Sequence, residues 1–142
     1  MEKLVVLGGG ESGVGAAILG KDKAFDVFLS DFSMIKPKFK AKLNSEKIEF
    51  EEGQHTTSRL EAANLIVKSP GISDDLDLIK NLKAKGIKII SEIEFASRYT
   101  DANLIGITGS NGKTTVTNMV FHIMKNAGLS VELLPDRGGR NA

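Results

Sequence analysis

Eight residues, Thr108-Gly109-Ser110-Asn111-Gly112-Lys113-Thr114-Thr115, have types and spacing suited to holding nucleotide phosphates. Gly109 and Gly112 let backbone amides approach an anion closely, a helix starting there turns its positive end toward it, and Lys113 adds a full charge. Such loops place the hydroxyl of the residue after the lysine, here Thr114, on a Mg²⁺ ion shared with the β- and γ-phosphate oxygens; Thr115 is second in line. The spacing is shorter than the general G-x-x-x-x-G-K-[ST] pattern, because Ile107 stands where its first glycine belongs, so that G-x-x-G-K-T remains. A bare Gly-Lys-Thr also occurs in ordinary loops with a surface lysine, so the flanking elements matter.

A second set of glycines lies at the other end. Gly8-Gly9-Gly10-Glu11-Ser12-Gly13 fits G-x-G-x-x-G at Gly8, Gly10 and Gly13, and Asp31 follows at the distance at which a dinucleotide-binding domain carries an acid for ribose hydroxyls. The simpler reading is a tight turn that binds nothing. Ser69-Pro70-Gly71-Ile72 falls after a further apolar run, and Ser91-Glu92-Ile93-Glu94 has capping-box spacing, so both acids there are read as helix caps rather than catalysts. Ser73, with Asp74 and Asp75 after it, reads as the N-cap of a helix bearing Leu76, Ile79 and Leu82.

The positioning elements follow from hydrophobic pattern. Residues 3–7, 26–31, 65–68 and 87–90 are apolar runs of strand length, and 48–51 alternate like an edge or third strand whose acids face water. Val14, Ala16, Ala17 and Ile18 suit a helix packed closely on a sheet. Residues 103–107 read as a strand before the second loop, and Val116, Met119, Val120, Ile123, Met124 and Ala127 recur at helical spacing up to Gly128. Strands alternating with helices predict an α/β fold: a Rossmann-like parallel sheet domain over 1–93, followed by the start of a P-loop ATPase domain over 94–142.

Composition narrows the class further. A net charge of +1 in 142 residues argues against nucleic-acid and membrane-surface binding, and the lysines between Lys36 and Lys42 read as a solvated face. The absence of cysteine excludes disulfides and thiol nucleophiles. No signal peptide or membrane-spanning run is seen, which predicts a cytoplasmic protein. His55, in a polar turn, and His122 have no partner cluster for a transition metal.

The T-G-S-N-G-K-T-T string resembles the ATP loop of the Mur ligase and folylpolyglutamate synthetase superfamily. Taken in order with the Ser12-Gly13 turn, the acid after strand two, Ser69-Pro70-Gly71-Ile72 and Glu92-Ile93-Glu94, it resembles the D-glutamate-adding branch of the Mur ligase family over about the first 130 residues. The resemblance implies an ATP-dependent acid–amino-acid ligase of peptidoglycan synthesis that joins D-glutamate to UDP-N-acetylmuramoyl-L-alanine. It implies a substrate diphosphate at Glu11, Ser12 and Gly13, Asp31 facing the uracil, and Gly71 beside the sugar and its alanine. ATP would lie on Gly109, Ser110, Asn111, Gly112, Lys113, Thr114 and Thr115, with Lys113 and Thr114 as the catalytic pair, Thr114 on Mg²⁺, in a monomer without nucleic-acid or membrane partners.

Departures from that pattern set further expectations. Phe32-Ser33 stands where some members carry a polar-basic pair near the base, and Gly9 replaces a bulky apolar residue. The ending Pro135-Asp136-Arg137-Gly138-Gly139-Arg140-Asn141-Ala142 differs from the family's glycine-rich strand edge. The family's downstream Mg²⁺ ligands, its modified lysine and its C-terminal domain are not in the chain, so the chain is expected to be an N-terminal part without ligase turnover by itself. Three other readings stand: an L-alanine-adding relative, disfavoured by Asn111 where histidine is usual; a nicotinamide-dependent oxidoreductase domain, which leaves the second loop unexplained; and a short module that captures a nucleotide without chemistry.

Overall fold

A computed structural model describes residues 1–133, and the divergent ending lies outside the described residues. Contacts divide the chain into two compact units, Met1–Asp101 and Ala102–Ala142.

The first unit is a five-stranded sheet built by strict alternation of strand and helix. Its strands are β1 (Lys3–Leu7), β2 (Asp26–Asp31), β3 (Glu49–Glu52), β4 (Leu65–Lys68) and β5 (Lys88–Ser91), with α1 (Glu11–Asp22), α2 (Pro37–Ser45), α3 (Thr57–Glu61) and α4 (Asp77–Ala84) as crossovers and α5 (Glu92–Ser97) at the end. The order is β3-β2-β1-β4-β5, and every pairing is parallel. Order reverses between β1 and β4, and crevices for ligands open at the carboxyl ends of strands at such a reversal.

Alternation along the strands sends side chains to two cores. Leu4, Val6, Leu29, Leu65, Val67 and Ile90 pack with Val14 and Ala17 of α1, Leu43 of α2 and Phe95 of α5. Val5, Leu7 and Ile66 pack with Leu60 of α3 and with Ile79 and Leu82 of α4. Helices therefore cover both faces, which is why the central strands read as unbroken apolar runs. The small residues of α1 allow close approach: Gly20 sits where a Cβ would stand 2.3 Å from a Leu4 methyl.

Several local expectations are corrected. Ser73 does not cap a helix; its Oγ accepts from the Asp75 amide in a turn (3.1 Å), and α4 begins only at Asp77, with Leu76 as its N-cap. Of the acids of β3, Glu49 faces water as expected, whereas Glu51 and Glu52 are half-buried and hydrogen-bonded. Among the lysines after β2, Lys40 pairs with Glu52 at 2.9 Å. The first unit runs on past residue 93 because Phe95 is fully buried, edge-on to Phe25 and Tyr99.

In the second unit the described residues hold one regular element, α6 (Lys113–Asn126), with Gly128 following its last turn at φ +80°. Residues 103–107 form no strand, contrary to their apolar pattern. A strand exists by its ladder, and no described segment of this unit pairs with them.

Candidate nucleotide site

The first glycine turn is built by three strands at once. Beyond β1, Gly8 takes φ +111°, its N–H donates to Ser30 O of β2 (2.9 Å), and the Ser69 N–H after β4 donates to Leu7 O (2.9 Å). A side chain at Gly8 would stand 2.8 Å from Ser69 Cβ. Gly13 is needed for closeness: its Cβ would lie 2.0 Å from Gly8 O, so the start of α1 rests directly on the end of β1. Gly9 faces Ile35, whose side chain fills the space a larger residue would take.

Gly10 is the N-cap of α1 and supplies no side-chain cap, which leaves the first-turn amides to other acceptors. The space beside Gly10 is open, Glu11 and Ser12 are exposed, and Gly13 is buried. The arrangement suits an anion: amide donors and the positive end of a twelve-residue helix, with open space beside Gly10. Gly71 is also exposed, in a turn closed by Ile72 N–H to Ser69 O (3.1 Å) and held by Lys68 Nζ on Ile72 O (2.6 Å).

Asp31 does more for the turn than its sequence position suggests. One carboxylate oxygen accepts from the Gly9 N–H (2.6 Å) and the other from the Ser33 N–H (2.7 Å). The acid thus ties the glycine turn to the loop after β2.

Beside it lies a cluster that sequence reading passed over. Ser30, fully buried, has one hydroxyl proton, which goes to the Glu51 carboxylate at 2.7 Å, the better acceptor. His55 Nδ1 lies 2.6 Å from the same Oγ and must therefore donate, which leaves Nε2 as the ring's acceptor in the neutral form. Burial holds His55 below the usual histidine range, against the opposing pull of Glu51 and Asp31. Burial pushes Glu51 up, but hydrogen bonds from Thr56 and Ser30 and the nearby His55 outweigh it and leave the carboxylate below its ordinary value. The His55 ring is 5.9 Å from that of Phe32, centroid to centroid, and Phe32 is 71% exposed. The polar turn around His55 carried no local signal of this, because its partners are brought in by β2 and β3 pairing.

The acids after β5 have separate roles. Ser91 Oγ accepts from the Glu94 N–H (3.0 Å), as the capping pattern predicts, and Glu94 turns to Arg98 at 2.8 Å. Glu92 is no cap: it is 9% exposed, its Oε1 has no hydrogen-bond partner among the described residues, and that atom lies 3.5 Å from where a Gly13 Cβ would stand.

In the second unit, Gly112 is the N-cap of α6 at φ +77°, and α6 starts at Lys113, so the loop does meet a helix start. Lys113 Nζ donates to Gly109 O (2.7 Å), folding the cation over the loop, while Ser110, Asn111, Thr114 and Thr115 are exposed.

A doubly wound parallel sheet with a glycine turn at its order reversal defines the first unit as a Rossmann-like domain. Residues 2–91 match the family described as Mur ligase MurD-like, N-terminal domain, and the chain belongs to that family. It is similar to the UDP-N-acetylmuramoylalanine–D-glutamate ligase of Bacteroides fragilis, 56% identical over 138 residues, covering 97% of this chain and 31% of that protein. The enzyme of the same name from Porphyromonas gingivalis is 53% identical, over 95% of this chain and 30% of its own length. Among solved structures, a murein peptide ligase from Psychrobacter arcticus superposes with TM-score 0.64 at 26% identity, over 90% of this chain and 27% of that one. A pseudomurein peptide ligase type C from Methanothermus fervidus gives TM-score 0.60 at 32% identity, over the same two shares. The chain thus spans about a third of the length of the curated relatives it matches.

Proposed function

We propose that this chain is the N-terminal part of a cytoplasmic, monomeric ligase of peptidoglycan synthesis that joins D-glutamate to UDP-N-acetylmuramoyl-L-alanine at the expense of ATP. The observation that carries this reading is the presence of two separate glycine-rich loops, each opening a helix without a side-chain cap, together with relatives of that name at 56% identity across 97% of the chain. The first seat, at Glu11, Ser12 and Gly13, takes the diphosphate of the UDP-sugar, and Gly71 borders the path of the sugar and its alanine. The second, residues 109–115, takes ATP.

The residues of the second loop fit a Mg²⁺-bound nucleotide. Gly112 leaves the amides of α6 uncapped by any side chain, Lys113 is already bent over the loop, and the exposed Thr114 hydroxyl would hold the ion. The bound Mg²⁺ would draw charge from the β- and γ-phosphates. Lys113 exchanges Gly109 O for a terminal phosphate oxygen and stabilises the charge that builds as the phosphoryl group leaves ADP. The alanine carboxylate accepts that group; the D-glutamate amine then adds to the acyl carbon, phosphate departs, and an amide forms.

A nicotinamide reading is disfavoured because it leaves the second glycine loop, residues 109–115, without a role. Calorimetric titration with UDP-N-acetylmuramoyl-L-alanine, the same sugar without alanine, and NAD separates the readings. Saturable binding of the alanyl sugar, weaker binding of the shorter one and none of NAD is expected. NAD binding with no response to either sugar would overturn the proposal.

A further inference from the structure

The loop that follows β4 is held by a cation planted in the sheet. Lys68 is the last residue of β4 and is paired on both sides, with Leu7 of β1 and Ser91 of β5, so its backbone is fixed. Its side chain is only 12% exposed and reaches forward to the loop. Nζ donates to Ile72 O at 2.6 Å and lies 3.8 Å from Asp74 Oδ2, and Asp74 pairs in turn with Lys83 of α4 at 2.9 Å. Lys83 first, and then Lys68, hold the Asp74 carboxyl below its usual range. The loop has other ties: the Ser69 N–H continues the ladder to Leu7 O, the Ile72 N–H closes the turn onto Ser69 O, and the Ile72 side chain packs with Ile79 and Leu82. Pro70 lacks an N–H, and Gly71 a side chain, with which to anchor the tip. Burying an ammonium is costly unless its donors are used, and here they are used on one loop.

We propose that Lys68 is a positioning residue of this site: it keeps residues 69–73 in the form that leaves room for the sugar and alanine of the UDP-linked substrate, without touching the ligand itself. The inference rests on the UDP-sugar reading above and names what fixes the segment on which Gly71 sits. Only molecules with the loop held bind the sugar, so the apparent affinity falls with the fraction held. A hydrogen bond from a charged donor is stronger than a neutral one and shifts that equilibrium by about tenfold or more. The diphosphate, at the start of α1, does not call on this loop. UDP by itself therefore reports the nucleotide seat, and the sugar reports the loop.

The test is calorimetric titration of the full chain with UDP and with UDP-N-acetylmuramoyl-L-alanine, read as the ratio of the two affinities. In Lys68→Met, which keeps the stem and removes the charge, the sugar should bind about fivefold or more weakly, while UDP stays within about twofold of the parent. Replacing a mostly buried charge by an apolar side chain of similar length costs little stability, so melting should stay close to the parent's while the Ile72 amide exchanges its hydrogen faster. Lys68→Arg keeps a cation for Ile72 O and Asp74 and should restore the ratio to within about twofold. If Lys68→Met does not fold, Lys68→Gln, which keeps a neutral donor, is read in its place by the same ratio. A ratio within about twofold of the parent's in the neutral variant, whether or not Ile72 exchanges faster, would overturn the positioning role and leave the UDP-sugar reading intact. Equal weakening of UDP and of the sugar would overturn it too, as a loss of fold and not of loop position. A parent chain that binds neither ligand would overturn both.

Discussion

Replacing Gly13 by alanine tests whether the contact between α1 and β1 builds the nucleotide turn. The added Cβ would sit 2.0 Å from Gly8 O and 3.0 Å from Gly8 C, both backbone atoms that no rotamer change can withdraw. Relief requires α1 to lift by about an ångström, loosening Val14 and Ala17 from Leu4 and Val6 and prising the turn open. Overpacking costs about 1–3 kcal/mol, and backbone against Cβ belongs at the upper end, so about 3 kcal/mol is expected. For a unit of this size that corresponds to a melting temperature lower by roughly 12–24 °C. Gly15 is the control, since it lies on the same helix with open space around it. There alanine should stabilise by about 0.5–1 kcal/mol through helix propensity alone. Thermal unfolding followed by far-ultraviolet circular dichroism reads both, and UDP titration of Gly13→Ala should show lost affinity even at temperatures where it stays folded. A Gly13→Ala protein melting within about 2 °C of the parent would refute the packing reasoning, because a clash that cheap means that the turn is not braced by α1.

Further expectations follow from the same geometry. Asp31→Asn sets an NH₂ against either the Gly9 or the Ser33 amide and should cost about 1–3 kcal/mol in urea unfolding, with faster hydrogen exchange at whichever amide is orphaned. His55 is held below its ordinary value of 6.5, so the folded form resists a proton that the unfolded chain accepts; stability should fall as pH drops below about 6.5, and His55→Asn should flatten that limb of the urea midpoint profile. Glu51 is also held below its ordinary 4.5, so its contribution is present above that value and disappears as pH falls through the lower folded value; Glu51→Gln should shrink this acid limb. Lys113→Ala should reduce Mg-ATP affinity of the chain by about tenfold or more while leaving UDP titration and melting of the first unit unchanged.

Much of the sheet could be read from residue order, and the reasons are local. Lys3–Leu7, Asp26–Asp31 and Leu65–Lys68 are apolar runs bounded by turn residues, and each strand has the limits its pattern predicts. The glycine turn was legible because its need for open space and close approach permits few residue types. Local pattern failed where partners decide. Ser73 found a turn amide before a helix could form over it, and residues 103–107 are apolar enough for a strand but have no ladder. Glu92 looked like half of a capping pair, yet the end of β5 turns it inward against Gly13. The Ser30–Glu51–His55 chain joins residues 21 and 25 positions apart, and only the parallel register of β2 and β3 brings them together.

The strand order has a consequence for the chain as it is made. β1 is the middle strand, yet its second neighbour, β4, lies 61 residues further on, Leu4 against Leu65. At a synthesis rate of roughly 5–20 residues per second, the Leu-Val-Val-Leu segment would spend roughly 3–12 seconds outside the ribosome with one edge unpaired. During that interval α1 and β2 can shield one face and one edge only. Leu4–Leu7 is thus translated well before the strand that closes its second edge.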